Sequence, residues 1–144
     1  MRDDLPISIR PVAPTDYGYI LQTYTKSLHQ THPLNFIPNQ IFFPFYTEII
    51  NKLLTSSTTL VACIDDDPDQ IVGYMIGHHH NTSVVIHWAT TKGIFRRLGV
   101  MKALLNEMNP TSKNVICSHY FDLFKKIKDK YHLIYDPTVL QGIV

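Results

Sequence analysis

Residues 84–108, VVIHWATTKGIFRRLGVMKALLNEM, join an apolar strand to an amphipathic helix through one basic turn, and this junction points to a fold in which helices cover a sheet. Val84 to Ala89 is β-branched and aromatic, whereas Met101, Leu104, Leu105 and Met108 fall at i, i+3, i+4 and i+7. The period therefore switches from strand to helix near Leu98. The turn itself, Phe95-Arg96-Arg97-Leu98-Gly99-Val100, carries two arginines and a glycine. A helix start exposes unpaired N–H groups and the positive end of the macrodipole, and a residue without a Cβ lets a phosphate come close. The turn reads as an anion cradle, set against the plainer reading of an ordinary junction with surface arginines.

At 144 residues, 44% hydrophobic and 17% charged, the composition is that of one globular domain, expected to span 1–144. No apolar run reaches the roughly 18 residues that a membrane helix needs. The start, MRDDLPISIR, has acidic residues and a proline where a signal peptide has an apolar core, so a cytoplasmic site of action is expected. Cys63 and Cys117 each sit in an apolar run and read as buried reduced thiols rather than a disulfide framework. No Cys/His spacing suits zinc, and Asp65-Asp66-Asp67-Pro68-Asp69 lacks calcium-loop spacing, so no metal is expected.

Net charge is +1, unevenly spread. Residues 1–91 hold four Lys/Arg against eight Asp/Glu, and residues 92–144 hold nine against four. A cofactor with several phosphates would be drawn to the basic half, which contains the cradle. Nucleic acid ranks below it, because Lys125, Lys126, Lys128 and Lys130 lack interleaved aromatics.

Along the chain, Ile7–Val12 reads as a strand, and Tyr17, Ile20, Leu21, Tyr24 and Leu28 make the core stripe of a first helix. A loop with Pro33 and Pro38 follows. Phe45, Ile49, Ile50 and Leu53 mark a second helix with Pro44 in its first turn. Thr59–Ile64 and Ile71–Gly77 read as strands joined by the acidic turn, and His78-His79-His80-Asn81-Thr82 as a second turn before the strand ending at Thr91. After the 98–108 helix, Asn114–Ser118 is a strand, Tyr120–Lys130 a helix and His132–Tyr135 a last strand. The fold class is α+β, with helices on both faces of a mixed, mainly antiparallel sheet of about six strands.

The basic turn resembles motif A of the GNAT (GCN5-related N-acetyltransferase) superfamily, Gln/Arg-x-x-Gly-x-Gly/Ala. Arg96 and Gly99 match its first two fixed positions, and Met101 stands where the third is Gly or Ala. Ile7-Ser8-Ile9-Arg10-Pro11 with Asp16 looks like the family's opening strand and helix, and Ile71-Val72-Gly73-Tyr74 like its central strand. Phe36–Leu54 with the acidic hairpin also resembles small GNAT-like proteins of phages and their hosts. The likeness spans residues 7 to 136; only Thr138–Val144 remain where the family completes a final strand, so that sheet edge is expected to be short, covered by a partner or completed by a second protomer.

The resemblance implies an acetyl-CoA-dependent N-acyltransferase that acts on a primary amine of a small molecule or protein. Its alternative is an inactive GNAT-fold protein, such as a phage accessory factor, that works through protein contacts. By position, Arg96, Arg97, Leu98, Gly99, Val100 and Met101 would hold the pyrophosphate of acetyl-CoA or CoA. Thr90 and Thr91 would contact the pantetheine arm from one side and Cys117, Ser118 and His119 from the other, with the backbone N–H of Thr91 or its neighbour as oxyanion donor. The family's tyrosine acid has no counterpart: Phe124-Lys125-Lys126 stands at the nearest match, which leaves His119 and Tyr120 as substitutes. His87 is the candidate base, against the reading of a satisfied strand histidine. His29 and His32 read as loop-capping residues.

Overall fold

The computed structural model describes residues 7–93, 99–111, 113–119 and 133–140. The elements run β1 (Ile7–Pro11), α1 (Tyr17–His29), α2 (Asn39–Ser56), β2 (Thr58–Ile64), β3 (Asp67–His80), β4 (Ser83–Thr91), α3 (Val100–Met108), β5 (Asn114–Cys117) and β6 (Ile134–Tyr135). The six strands form one sheet in the order β1-β2-β3-β4-β5-β6. The first four are antiparallel neighbours, and β4–β5 and β5–β6 are parallel. The expected mixed α+β sheet is therefore present. The helix expected over Tyr120–Lys130 lies outside the described residues.

Apolar residues from the helices and from the central strands make the core. Ile20, Tyr24 and Leu28 of α1 and Phe42, Ile50, Leu53 and Leu54 of α2 are buried, as are Val100, Met101, Leu104, Leu105 and Met108 of α3. The α3 stripe is the one its periodicity predicts. Cys63 and Cys117 are buried free thiols.

Two expectations are corrected. Helix α2 begins at Asn39, which puts Pro44 in its interior and turns Phe45 outward, 59% exposed, while Phe42 takes the core position. The earlier start follows from Pro38, whose carbonyl accepts from the N–H groups of Ile41 and Phe42. Pro44 lies on the exposed face, where water can satisfy the carbonyl its missing N–H leaves unpaired. The second correction concerns His78-His79-His80. These residues continue β3, opposite Val85, Val84 and Ser83, and the turn is only Asn81-Thr82, with Asn81 at φ 51°.

A buried carboxylate fixes the first corner. Asp16 accepts two bonds from the Arg10 guanidinium, at 2.7 and 3.1 Å, and one from the Ala13 N–H at 2.7 Å. Arg10 also donates to the Pro68 carbonyl at 3.0 Å, so β1, the entry to α1 and the β2–β3 hairpin share one ion pair. The Arg10 hydrogen bond holds the Asp16 pKa below its ordinary value against the opposing effect of burial. Asp16→Asn strands a partly buried guanidinium and is expected to cost about 2–3 kcal/mol in urea unfolding. In the native protein this contribution is present above the ordinary carboxylate pKa and is lost as pH falls through the lowered folded value.

Candidate active site

The site begins with a break in register. Ile76 pairs with Trp88 and Gly77 with Ile86, so one step along β3 matches two along β4 and His87 is the extra residue of a bulge. A Cβ on Gly77 would lie 2.5 Å from the Val85 carbonyl oxygen, so the backbones close on each other here only because the residue is glycine.

Beyond the bulge the sheet opens. Strand β5 pairs with β4 from Ser83↔Asn114 to Ile86↔Cys117, and the Ser118 N–H donates to the Ile86 carbonyl at 3.0 Å. Strand β4 then runs on from His87 to Thr91 with β3 as its ladder partner and, among the described residues, no register to β5. The result is a fork with Thr90 and Thr91 on one arm and Ser118 and His119 on the other.

Helix α3 starts at the open end of the fork. A Cβ built on Gly73, which faces Thr91, would lie 2.7 Å from the Thr90 carbonyl oxygen and 3.2 Å from Val100 Cγ1. The first residue of α3 therefore packs over Gly73 of β3, opposite the end of β4. The residue before it, Gly99, has φ 74° and provides no side-chain cap, and nothing among the described residues lies within 4 Å of where its Cβ would be. Among the described residues the opening amides of α3 have no capping side chain, and there is room beside Gly99. Met101 turns its side chain into the core, where it lines a small apolar cavity of about 10 Å³ with Met75, Ile86, Ala89, Val115 and Cys117. Its thioether thus leaves the helix mouth clear, and the side chains of Val100, Met101 and Cys117 are core groups that offer only backbone to a ligand. Arg96, Arg97, Leu98 and Tyr120 lie outside the described residues.

A chain of polar groups crosses the fork at its vertex. His78 Nδ1 lies 3.1 Å from His87 Nε2, His87 Nδ1 lies 2.7 Å from Ser118 Oγ, and Ser118 Oγ lies 2.9 Å from His119 Nδ1. His87 is fully buried and engaged at both ring nitrogens, so neither is left to take a proton directly from a substrate. Desolvation first, then the neighbouring His78 and His119, lowers its pKa to about 3. Burial lowers that of His119 to about 4, opposed by the nearby backbone of His87. Both rings are neutral at pH 7.

Sequence reasoning missed Tyr24 and His78. Tyr24 reads as a core residue of α1 and is one, but its buried hydroxyl has no hydrogen-bond partner among the described residues. Its ring stacks on Trp88 at 4.6 Å and meets His119 edge-on at 6.3 Å. Burial raises its pKa, so it keeps its proton. His78 was hidden by the expectation of a turn; alternation along a continued strand would have placed it on the face opposite His79. His29 accords with loop capping: its Nε2 lies 2.7 Å from the Ile37 carbonyl oxygen and its ring stacks on Phe42.

No protein-family model matches the chain, and no curated protein matches it in sequence. Solved structures do match. A possible acetyltransferase from Clostridium difficile 630 superimposes with a TM-score of 0.62 at 14% identity, over 88% of each chain. A predicted acetyltransferase from Clostridium acetobutylicum with acetyl-CoA gives 0.60 at 13% identity, over 87% of this chain and 88% of that one. A GNAT family acetyltransferase from Brucella melitensis in complex with acetyl-CoA gives 0.54 at 14% identity, over 85% and 82%. The fold is that of the GNAT acetyltransferases.

The buried imidazoles set a pH dependence of stability. Unfolded histidine takes up a proton near pH 6.5, whereas folded His87 and His119 resist until about 3 and 4. Below 6.5 the unfolded state therefore binds more protons, and stability falls as pH drops from 6.5 toward 4. Urea unfolding across that range is expected to show the decline, with a shallower slope in His87→Phe.

Proposed function

We propose that the protein is an acetyl-CoA-dependent N-acyltransferase that moves an acetyl group to a primary amine of a small molecule or protein, acting in the cytoplasm. The observation that carries this reading is that, among the described residues, β4 and β5 part beyond Ile86 and Cys117 and the start of α3 at that opening has no side-chain cap. The fold's likeness to two acetyltransferases solved with acetyl-CoA supports the same cofactor here. Among the described residues no helix is long and apolar enough to cross a membrane.

The residues present fit that cofactor. The amides of Val100, Met101 and Lys102, led by Gly99, would hold its diphosphate, with Arg96 and Arg97 adding charge. The arms of the fork, Thr90 and Thr91 on one side and Cys117 to His119 on the other, would take the pantetheine chain by strand addition. When bound, acetyl-CoA supplies a thioester carbonyl open to attack by an amine. The chain's part is to orient the two, to offer N–H donors from β4 to the developing oxyanion, and to move protons. His119 is the proton acceptor this reading favours, with Tyr120 next to it in sequence as a second acid-base group. His87 acts through Ser118.

At hundredfold excess over its dissociation constant, acetyl-CoA is expected to add about 2.7 kcal/mol to the native state. For a domain of this size that raises the melting temperature by several degrees. Gly99→Asp places a carboxylate among the phosphates while keeping a residue that tolerates the left-handed region; it should remove the shift, whereas the uncharged Gly99→Asn should retain most of it. No shift in the native protein would favour the alternative, a GNAT-fold protein acting through protein contacts.

A further inference from the structure

The fork vertex holds more polar chemistry than cofactor binding requires. His78, His87, Ser118 and His119 come from three strands or their ends, and three successive contacts of 3.1, 2.7 and 2.9 Å connect them. Of the four, His87 and Ser118 are buried, at 0% and 2% exposure, while His78 is half-buried and stands next to the exposed His79 and His80. The chain of contacts therefore leads from the inner end of the fork to the solvent end of the β3–β4 hairpin.

We propose that Ser118, His87 and His78 form a proton relay that connects His119 at the fork to water at the end of β3; as a device for deprotonating the acceptor amine it rests on the acyl-transfer reading. A neutral imidazole has one donor and one acceptor nitrogen, and a hydroxyl is both, so the three bonds can all run one way or all run the other. In the first state His119 Nδ1–H donates to Ser118 Oγ, the Ser118 hydroxyl donates to His87 Nδ1, and His87 Nε2–H donates to His78 Nδ1.

An acceptor arriving as an ammonium ion must lose one proton before it can attack. One of its N–H bonds breaks as a new one forms on His119 Nε2. The protons on His119 Nδ1, Ser118 Oγ and His87 Nε2 each pass to the next group, and His78 releases its Nε2 proton to water. One proton enters and one leaves, no electrons are exchanged, and all four groups end neutral with their bonds reversed. Uptake of a proton at His78 and release at His119 into the emptied fork resets the relay. A concerted shift suits this setting because desolvation opposes a charged ring at either His87 or His119. Ser118, His87 and His78 act through His119 and are positioning residues.

The first test needs no cofactor. In histidine-labelled protein, long-range ¹H–¹⁵N spectra report the tautomer of each ring. His78→Phe, at the far end of the relay, is expected to change the tautomer balance of His119, and Ser118→Ala to uncouple His87 from His119, with Ser118→Thr restoring the coupling. If His78→Phe does not fold, His78→Gln replaces it, since an amide can hydrogen-bond but cannot pass the proton on. His119 resonances that stay unmoved in both the His78 and Ser118→Ala variants would overturn the relay. The second test follows thiol release from acetyl-CoA with spermidine, kanamycin and a lysine peptide as acceptors. Ser118→Ala should lower kcat about tenfold to hundredfold with KM for acetyl-CoA unchanged. An unchanged kcat overturns the relay. Absence of any acetyl-CoA melting shift in the native protein overturns acyl transfer instead, and the ring spectra still decide whether the four groups are coupled.

Discussion

One extra residue in β4 organises the functional half of the molecule. Strands β3 and β4 pair in regular antiparallel register up to Ile76↔Trp88, and the pairing resumes at Gly77↔Ile86 with His87 left over. A bulge of this kind bends the strand and increases its twist, and here the bend falls where β5 stops following β4. The glycine opposite is part of the device, because any side chain at Gly77 would meet the Val85 carbonyl. A second close approach, at Gly73, lets α3 begin over β3 opposite the end of β4, so two glycines on one strand place both the parting of β4 and β5 and the start of α3.

The parts of this arrangement that were legible in the sequence are those set by periodicity. The α3 stripe and the succession of strands and helices along the described chain follow from side chains that repeat at 2 or 3.6 residues, and burial selects those periods directly. The bulge was not legible. Val84 to Ala89 are buried on both faces, so the run has no inside–outside alternation against which His87, its one polar residue, would stand out as an inserted position. His78 to His80 were read as a turn for a related reason. Three polar residues look like loop chemistry, yet β3 extends beyond the sheet centre, where backbone pairing with Val84 and Val85 outweighs the cost of a partly exposed imidazole.

The same logic separates the residues of the candidate site. The motif resemblance placed Gly99, and the left-handed backbone there gives the physical reason for a glycine. Met101 departs from the motif because its position faces two ways: its amide belongs to the helix mouth, but its side chain fills space beneath the sheet beside Met75 and Leu105. A flexible thioether can be accommodated there because the side chain leaves the mouth on the core side. The departure alters the packing beneath the sheet rather than the backbone at the start of α3.

The polar chain at the vertex is costly in a way that bears on its purpose. Ser118 and His87 are withdrawn from water in the middle of an otherwise apolar sheet, and buried polar groups are tolerated when their hydrogen bonds are made. Replacing such a group with well-packed apolar residues would generally serve stability as well or better, and it would spare the protein the loss of stability on acidification that two neutral buried imidazoles impose. Tyr24, stacked on Trp88 with its hydroxyl unpartnered among the described residues, adds a further unreturned desolvation cost at the same place. Packing alone thus favours an apolar vertex, whereas a reaction that must strip a proton from an amine in a closed slot favours groups that can both give and accept one. The concentration of such groups at the point where the two strands part is the feature of this chain that the demands of folding leave unexplained and that the proposed acyl transfer would account for.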